Sequence, residues 1–438
     1  MFRLSRIAVQ ARENTPSSPP STAKRARGIV KDNTNLIVGL DIGTSKIVAI
    51  VAEVLPDGGL NIVGLGTQPS RGLKKGVVVN IEATMASIQR VLEEAELMAD
   101  CAITEVYTGI AGSHIRSLNS SGMVAIKEKE VTQADIDRVI ETAKAIAIPN
   151  DQQVLHILPQ EFIVDGQEDV REPLGMSGVR LEVKVHIVTG AVSAVENITK
   201  CVRRCGLKVN DVMLQPLASA LAVLNEDEKD LGVCVMDIGG GTTDLAVFTG
   251  GAIRHTAVIP IAGDQVTNDI AMTLRTPTKE AEELKLRHGC ALRQLADPND
   301  IIEVPGVGER GPRKLSRQTL AEVIEPRIEE LYTLAQSELR RSGLEEMLSS
   351  GIVLTGGSAL LQGMVELGEE VFHLPVRVGV PAYVGGLADV IRSPRYATAV
   401  GLLLDGREHF LRAEIARGQT KGLGNVGERM RQWFKANF

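Results

Sequence analysis

Val235-Met-Asp-Ile-Gly-Gly-Gly-Thr-Thr-Asp-Leu-Ala-Val-Phe248 is an apolar run that ends on an acid, a glycine-rich turn, and a second apolar run. Such a pattern predicts two strands joined by a tight turn. Gly239, Gly240 and Gly241 carry no Cβ, so their N–H groups can line a concave nest for an anion. Thr242 and Thr243 add hydroxyl groups. Asp237 and Asp244 flank the turn and suit a hydrated Mg²⁺, an ion that keeps most of its waters and takes one or two carboxylates. An ordinary glycine-rich hairpin is the other reading of this stretch alone.

The plan occurs twice. Leu36-Ile-Val-Gly-Leu-Asp-Ile-Gly-Thr-Ser-Lys-Ile-Val-Ala-Ile50 is again strand, acid, turn and strand, with Asp41, Gly43, Thr44, Ser45 and Lys46 at the turn. Each copy is followed by a Gly-containing turn and a third strand, Leu60 to Gly66 in the first and Ala252 to Pro260 in the second. Repetition of this kind decides the architecture. Two like halves, each offering an acid and a phosphate-sized turn, predict a nucleotide held between them. Gly351-Ile-Val-Leu-Thr-Gly-Gly-Ser-Ala-Leu360 then reads as a strand, a turn at Gly356 and Gly357 followed by Ser358, and a helix running to about Phe372. The start of that helix would offer free N–H groups to an adenosine or its α-phosphate.

These stretches resemble the phosphate-1, phosphate-2 and adenosine motifs of the actin, Hsp70 and sugar-kinase superfamily. Gly72-Leu-Lys-Lys-Gly76, Glu94-Ala-Glu-Leu-Met-Ala-Asp100, Val154-Leu-His-Ile-Leu-Pro-Gln-Glu161 and Arg287-His-Gly-Cys-Ala291 narrow the resemblance to the FtsA family of actin-like bacterial cell-division proteins. It covers about residues 35 to 438. It implies a two-lobed α/β actin-like ATPase fold with ATP and Mg²⁺ as ligands. It also implies Asp41, Asp237 and Asp244 around the metal, and Gln215 with Asp237 in the catalytic positions. Gln215 would orient the attacking water, although a plain capping role is equally open. Glu282 and Lys285, one helical turn apart, would hold the nucleoside or form a surface ion pair. Nucleotide binding follows from the resemblance more directly than hydrolysis does.

The expected division of the chain is a basic arm over 1–34, subdomain 1A over 35–81 with 191–217 and 373–412, and a relocated α+β subdomain 1C over 82–190. Subdomain 2A takes 218–266 with 331–372, and 2B takes 267–330, with a new helix opening near Pro326. The resemblance implies that 1C contacts other subunits and recruits later division proteins, that the protein self-associates into filaments, and that 2B docks the tail of FtsZ. A small-residue helix at Tyr396-Ala-Thr-Ala-Val-Gly401 would permit hinge-like closure of the lobes.

Residues 413–424 read as a flexible linker. Beyond it Val426, Met430, Trp433, Phe434 and Phe438 recur at helical spacing beside Arg429, Arg431 and Lys435. A short helix of this composition suits the surface of an anionic membrane. A peripheral location follows from such a helix, and the resemblance implies the cytoplasmic face of the inner membrane at the division site.

Composition excludes other classes. A net charge of −7 argues against general nucleic-acid binding. Cys201 and Cys205 lie one helical turn apart without a further ligand pair, and read as packing residues. The rivals are a small-molecule kinase, an Hsp70-type chaperone and a pilus-assembly protein. No acceptor-site signature, no C-terminal substrate domain and no reason for an amphipathic tail favour them.

Overall fold

The computed structural model describes residues 35–308, 311–382 and 384–419. β1 (Leu36–Ile42), β2 (Lys46–Val54) and β3 (Leu60–Pro69) form an antiparallel meander. Nearly every residue of β1 and β2 is buried, as in a sheet covered on both faces. A small hairpin, β4 (Leu73–Lys74) and β5 (Val77–Val78), leads to α1 (Ile81–Ala99). Asn80 caps α1 by accepting the Ala83 N–H, and Ile88, Val91, Leu92 and Ala95 are its buried apolar face. The helix returns the chain to β6 (Glu105–Ile110), parallel to β1.

The insert is a second sheet. β7 (Arg116–Ala125), α2 (Gln133–Lys144), β8 (Gln152–Val164), β9 (Gln167–Val170) and β10 (Arg180–Ala191) give the strand order β7-β10-β8-β9. Thr132 and Asp135 close a capping box at the start of α2. The expected start of the insert at residue 82 is too early. α1 and β6 belong to the first sheet, because a parallel neighbour for β1 needs a helical crossover to reach it.

α3 (Val192–Arg204) and β11 (Lys208–Leu214) rejoin the first half, with β11 parallel to β6. The thiols of Cys201 and Cys205 point at the α1 carbonyls of Ile81 and Met85, and burial pushes the Cys205 thiol up to about 11. Both therefore pack as neutral groups.

α4 (Gln215–Val223) and α5 (Glu226–Leu231) lead into the second half. There β12 (Val233–Ile238), β13 (Thr243–Thr249) and β14 (Ala252–Ile259) repeat the meander. α6 (Gly263–Thr273), α7 (Thr278–His288), β15 (Ile301–Val304), β16 (Arg313–Ser316) and α8 (Arg317–Ser342) follow. β17 (Ile352–Thr355), α9 (Met364–Phe372) and β18 (Val376–Val378) complete a sheet of order β14-β13-β12-β17-β18. The first sheet reads β11-β6-β1-β2-β3, with β19 (Gly385–Gly386) added at its β3 edge. The five-strand order of the two halves is thus the same, and the duplication extends beyond the triplets to the parallel strands. After α10 (Ala388–Ile391), α11 (Ala397–Gln419) crosses back against α4 and β1.

Three further expectations change. α8 runs unbroken through Pro326, where a new helix was expected. Pro326 and Glu322 are both exposed, so water can serve the Glu322 carbonyl that the missing N–H leaves free. Meanwhile Leu320, Ile324, Ile328 and Leu331 keep one buried face. Second, Gly356 and Gly357 open a single 3₁₀ turn, Gly357–Leu360, and the regular helix begins only at Met364 after the left-handed Gly363. Third, α11 continues through Gln419, so the first part of the expected 413–424 linker is helical. The basic arm at 1–34 and the amphipathic segment at 425–438 lie outside the described residues.

Candidate functional site

The two glycine-rich turns have the same build. Gly43 N–H donates to the Lys46 carbonyl at 3.0 Å, and Gly239 N–H donates to the Thr242 carbonyl at 3.0 Å. Each turn closes a hairpin whose register ends one residue before it, Ile42 opposite Ile47 and Ile238 opposite Thr243. The turns face one another across the join of the halves. A Cβ on Gly240 would lie 1.9 Å from Ser45 Oγ, and one on Gly241 would lie 2.8 Å from Thr44 Oγ1. Only glycine allows this approach. Ser45 Oγ also donates to Asp264 Oδ1 at 3.3 Å, so a phosphate seated between the turns must displace that contact. Thr44 Oγ1 accepts the Gly76 N–H at 3.0 Å.

Behind the turns lie three buried acids. Asp237 and Asp244 are cross-strand partners, and Asp41 holds the equivalent place in β1. Burial pushes the Asp41 carboxyl up to about 6, and the neighbouring Asp237 adds to the shift. Burial and Asp237 push Asp244 up to about 8, while burial raises Asp237 itself. Asp237 Oδ2 accepts from Ser219 Oγ at 2.5 Å and from Thr398 Oγ1 at 3.1 Å. Asp244 Oδ2 accepts from Thr242, but its Oδ1 is buried without a hydrogen-bond partner.

The cation in this setting is Lys46. Its Nζ donates to the Arg395 carbonyl, lies 4.8 Å from the centre of the Tyr396 ring, and is pushed down to about 8 by burial. Three acids against one such lysine, with one carboxylate oxygen orphaned, is a donor set that suits a divalent cation. The three carboxylates do not close on a single point. Among the described residues the one trio with ligand atoms all within 4.8 Å is Asp211, Asp405 and His409, on other elements. Asp41, Asp237 and Asp244 therefore fit an ion that keeps its waters better than one bound directly by all three.

Gln215 Nε2 donates to Asp41 Oδ1 at 3.2 Å. Lys285 Nζ and Glu282 pair at 2.7 Å. The pair is more than a surface contact, because Lys285 Nζ also donates to Gly263 O at 3.0 Å and Thr267 Oγ1 at 2.9 Å. Gly263 N–H in turn donates to Gly239 O at 3.1 Å, which brings α7 to the turn. Ser358 Oγ donates to the same Gly239 carbonyl at 2.9 Å. Open space lies beside Gly357, whereas a Cβ on Gly356 would sit 2.5 Å from Asp237 Oδ1. Thr243 departs from expectation: its hydroxyl is committed to the Ile261 carbonyl at 2.8 Å.

Ser219, Thr398 and Asp264 were not among the expected residues. Ser219 lies one helical turn after Gln215, a spacing that could have found it. Thr398 and Asp264 reach the site only through the packing of α11 and α6.

A duplicated five-strand core with facing turns and two crossing helices defines the class of proteins with the actin-like ATPase fold. Solved structures agree on the fold: the PilM–PilN type IV pilus biogenesis complex has a TM-score of 0.63 at 19% identity, covering 85% of this chain and 98% of that one. MreB5 of Spiroplasma citri bound to ADP has a TM-score of 0.54 at 15% identity, covering 87% and 99%. The family models for cell division protein FtsA and for the SHS2 domain inserted in FtsA match residues 234–401 and 112–189. Cell division protein FtsA of Pseudomonas aeruginosa is 62% identical over 409 residues, 92% of this chain and 98% of that protein. That of Escherichia coli K12 is 49% identical over 412 residues, again 92% and 98%. The chain belongs to the FtsA family of cell-division proteins.

Proposed function

We propose that the chain binds ATP with a hydrated Mg²⁺ between its two turns and uses that state to tether FtsZ to the membrane. The observation that carries the reading is the pair of matching turns set over Asp41, Asp237 and Asp244. Gly43, Thr44, Ser45 and Lys46 would meet the phosphates from one side, and Gly239 to Thr242 from the other. Gly356, Gly357 and Ser358 would lie by the adenosine, with Glu282 and Lys285 at the nucleoside. The bound ion would supply the positive charge that the buried acids lack. Gln215, whose amide donates to Asp41, would orient a water in a weak ATPase activity, and ATP binding would not depend on it.

The remaining roles rest on family membership and on the sequence. FtsZ would dock by its tail on about 267–330, and later division proteins would bind through the inserted region. Self-association into filaments would multiply the weak hold of single C-terminal segments on an anionic membrane. No helix among the described residues is long and apolar enough to cross a membrane, which accords with a peripheral protein at the division site.

The test uses Trp433, the single tryptophan of the chain. Its emission is followed as anionic vesicles are added, with and without Mg-ATP, beside a chain ending at Gly424 as blank. A saturable blue shift that tightens with ATP supports the tether. A Trp433 that is already blue without lipid, or that never shifts, defeats it.

A further inference from the structure

We propose that His156, a residue of the inserted sheet, is a positioning residue for the nucleotide site. By accepting the Leu214 N–H it fixes the start of α4, and with it the Gln215 side chain on Asp41. The proposal rests on the nucleotide reading above.

β11 is the edge strand of the first sheet, and Leu214 is its last residue. An edge strand leaves backbone groups that need partners from elsewhere. For Leu214 the partner is not backbone. Its N–H donates to His156 Nε2 at 2.9 Å, from β8 of the insert lying alongside. This bond requires a neutral imidazole with its proton on Nδ1. Burial lowers the His156 pKa, which keeps the ring in that form, with Asp211 acting the other way.

Leu214, the N-cap of α4, is buried and paired with Ile110 of β6, but the turn from strand to helix has no side-chain cap of its own. The next residue is Gln215, whose side chain runs past Gly109. A Cβ on Gly109 would lie 2.8 Å from Gln215 Cγ and 3.2 Å from Nε2, so the amide runs through a slot that β6 leaves open. At the end of the slot Nε2 donates to Asp41 Oδ1. A small swing of the β11–α4 corner therefore withdraws Gln215 from the carboxylate. The inserted sheet, through one imidazole, sets whether that contact is made.

The test uses the full chain carrying His156→Leu or His156→Gln, each with and without Gln215→Ala. Exchange of the Leu214 amide is measured without nucleotide, and Mg-ATP affinity by calorimetry. Losing the acceptor should speed Leu214 exchange roughly tenfold and weaken Mg-ATP by a factor of roughly three to ten. His156→Gln, whose carboxamide oxygen can accept the same N–H, should recover most of both. In the Gln215→Ala background, His156→Leu should change affinity less than about twofold, because two residues acting through one contact are not additive.

Unchanged Leu214 exchange in His156→Leu would overturn the proposal. So would an equal affinity loss with Gln215 already removed, or a His156→Gln variant as impaired as His156→Leu. Absence of Mg-ATP binding by the unmodified chain would instead sink the nucleotide reading. The exchange rates of the two His156 variants would then test only the His156–Leu214 hydrogen bond, and the positioning role would fall with the nucleotide reading.

Discussion

Ser219 Oγ donates to Asp237 Oδ2 at 2.5 Å, and Thr398 Oγ1 donates to the same oxygen from the other crossing helix. α4 and α11 thus meet on one carboxylate of the candidate site. Both hydrogen bonds favour its ionised form against the upward pull of burial.

Ser219→Ala removes the shorter of these bonds. A hydrogen bond to a charged group contributes about 1.5–3 kcal/mol, but it is present in the free protein as well, so only its support of the ionised carboxylate reaches binding and Mg-ATP affinity at pH 7 should fall by up to roughly tenfold. The loss should shrink when binding is measured without Mg²⁺. Calorimetric titration with and without the metal checks both points, and an unchanged affinity would remove Asp237 from the ion's surroundings.

Lys46→Gln should be more damaging to binding than to folding. Lys46 lowers the pKa of Asp41, which burial holds near 6. Without the lysine the Asp41 pKa rises further, which favours the neutral carboxyl, so the nucleotide-free protein should lose little stability. The phosphates lose a cation and the ion loses a carboxylate. At about 1.4 kcal/mol per factor of ten, a loss of roughly 1.5–3 kcal/mol is a ten- to hundredfold weaker Mg-ATP complex. A melting temperature that drops together with the affinity would contradict this account.

The pH dependence of the joint between the insert and the second half should show in His186. The ring is 1% exposed, with Nδ1 at 2.7 Å from Asn119 Oδ1 and Nε2 at 3.0 Å from Thr256 Oγ1. Burial, helped by His255 nearby, pushes it down to about 4 from the ordinary 6.5. Between those values the unfolded chain binds the proton and the folded one does not. Stability is therefore full above about pH 6.5 and is lost as pH falls towards 4, by about 3 kcal/mol at 1.36 kcal/mol per unit. Denaturation midpoints at pH 7 and pH 5 should separate for the unmodified chain. They should come closer together in His186→Asn, once the general acid loss common to both is subtracted.

Much of this was legible in the chain itself. The strand triplets announce themselves because each is an apolar run bounded by glycine turns, and Asp41 and Asp237 stand at the same place in both. The parallel strands β6 and β17 gave no such sign of their partners, since their neighbours arrive through long crossovers. For that reason the sequence alone places α1 and β6 with the insert. Pro326 misled because local propensity forbids what tertiary burial allows: the Ile324–Ile328 face holds α8 together across it. Thr243 carries the right side chain in the right motif, but strand alternation turns its hydroxyl to Ile261. Ser219, Thr398 and His156 act through contacts between distant segments, which no local pattern encodes.

The crossing of the two helices supplies the last prediction. A Cβ on Gly401 would lie 1.7 Å from the Ala218 carbonyl oxygen, a backbone atom of the opposing helix. A methyl group there cannot be absorbed by a rotamer change, so Gly401→Ala must push α11 and α4 apart. Overpacking of this kind costs about 1–3 kcal/mol, and more where backbone is the obstacle. For a chain of this size that is a melting temperature lower by roughly 1 °C per kcal/mol. The separation also parts Thr398 from Asp237, so Mg-ATP binding should weaken even at temperatures where the protein stays folded. Gly406→Ala is the control on the same helix, because its Cβ would meet the Tyr107 ring at 2.8 Å, a side chain that can turn aside. Gly406→Ala should cost less stability and leave Mg-ATP affinity unchanged. Equal loss of affinity in the two variants would show that the helix crossing does not govern the site.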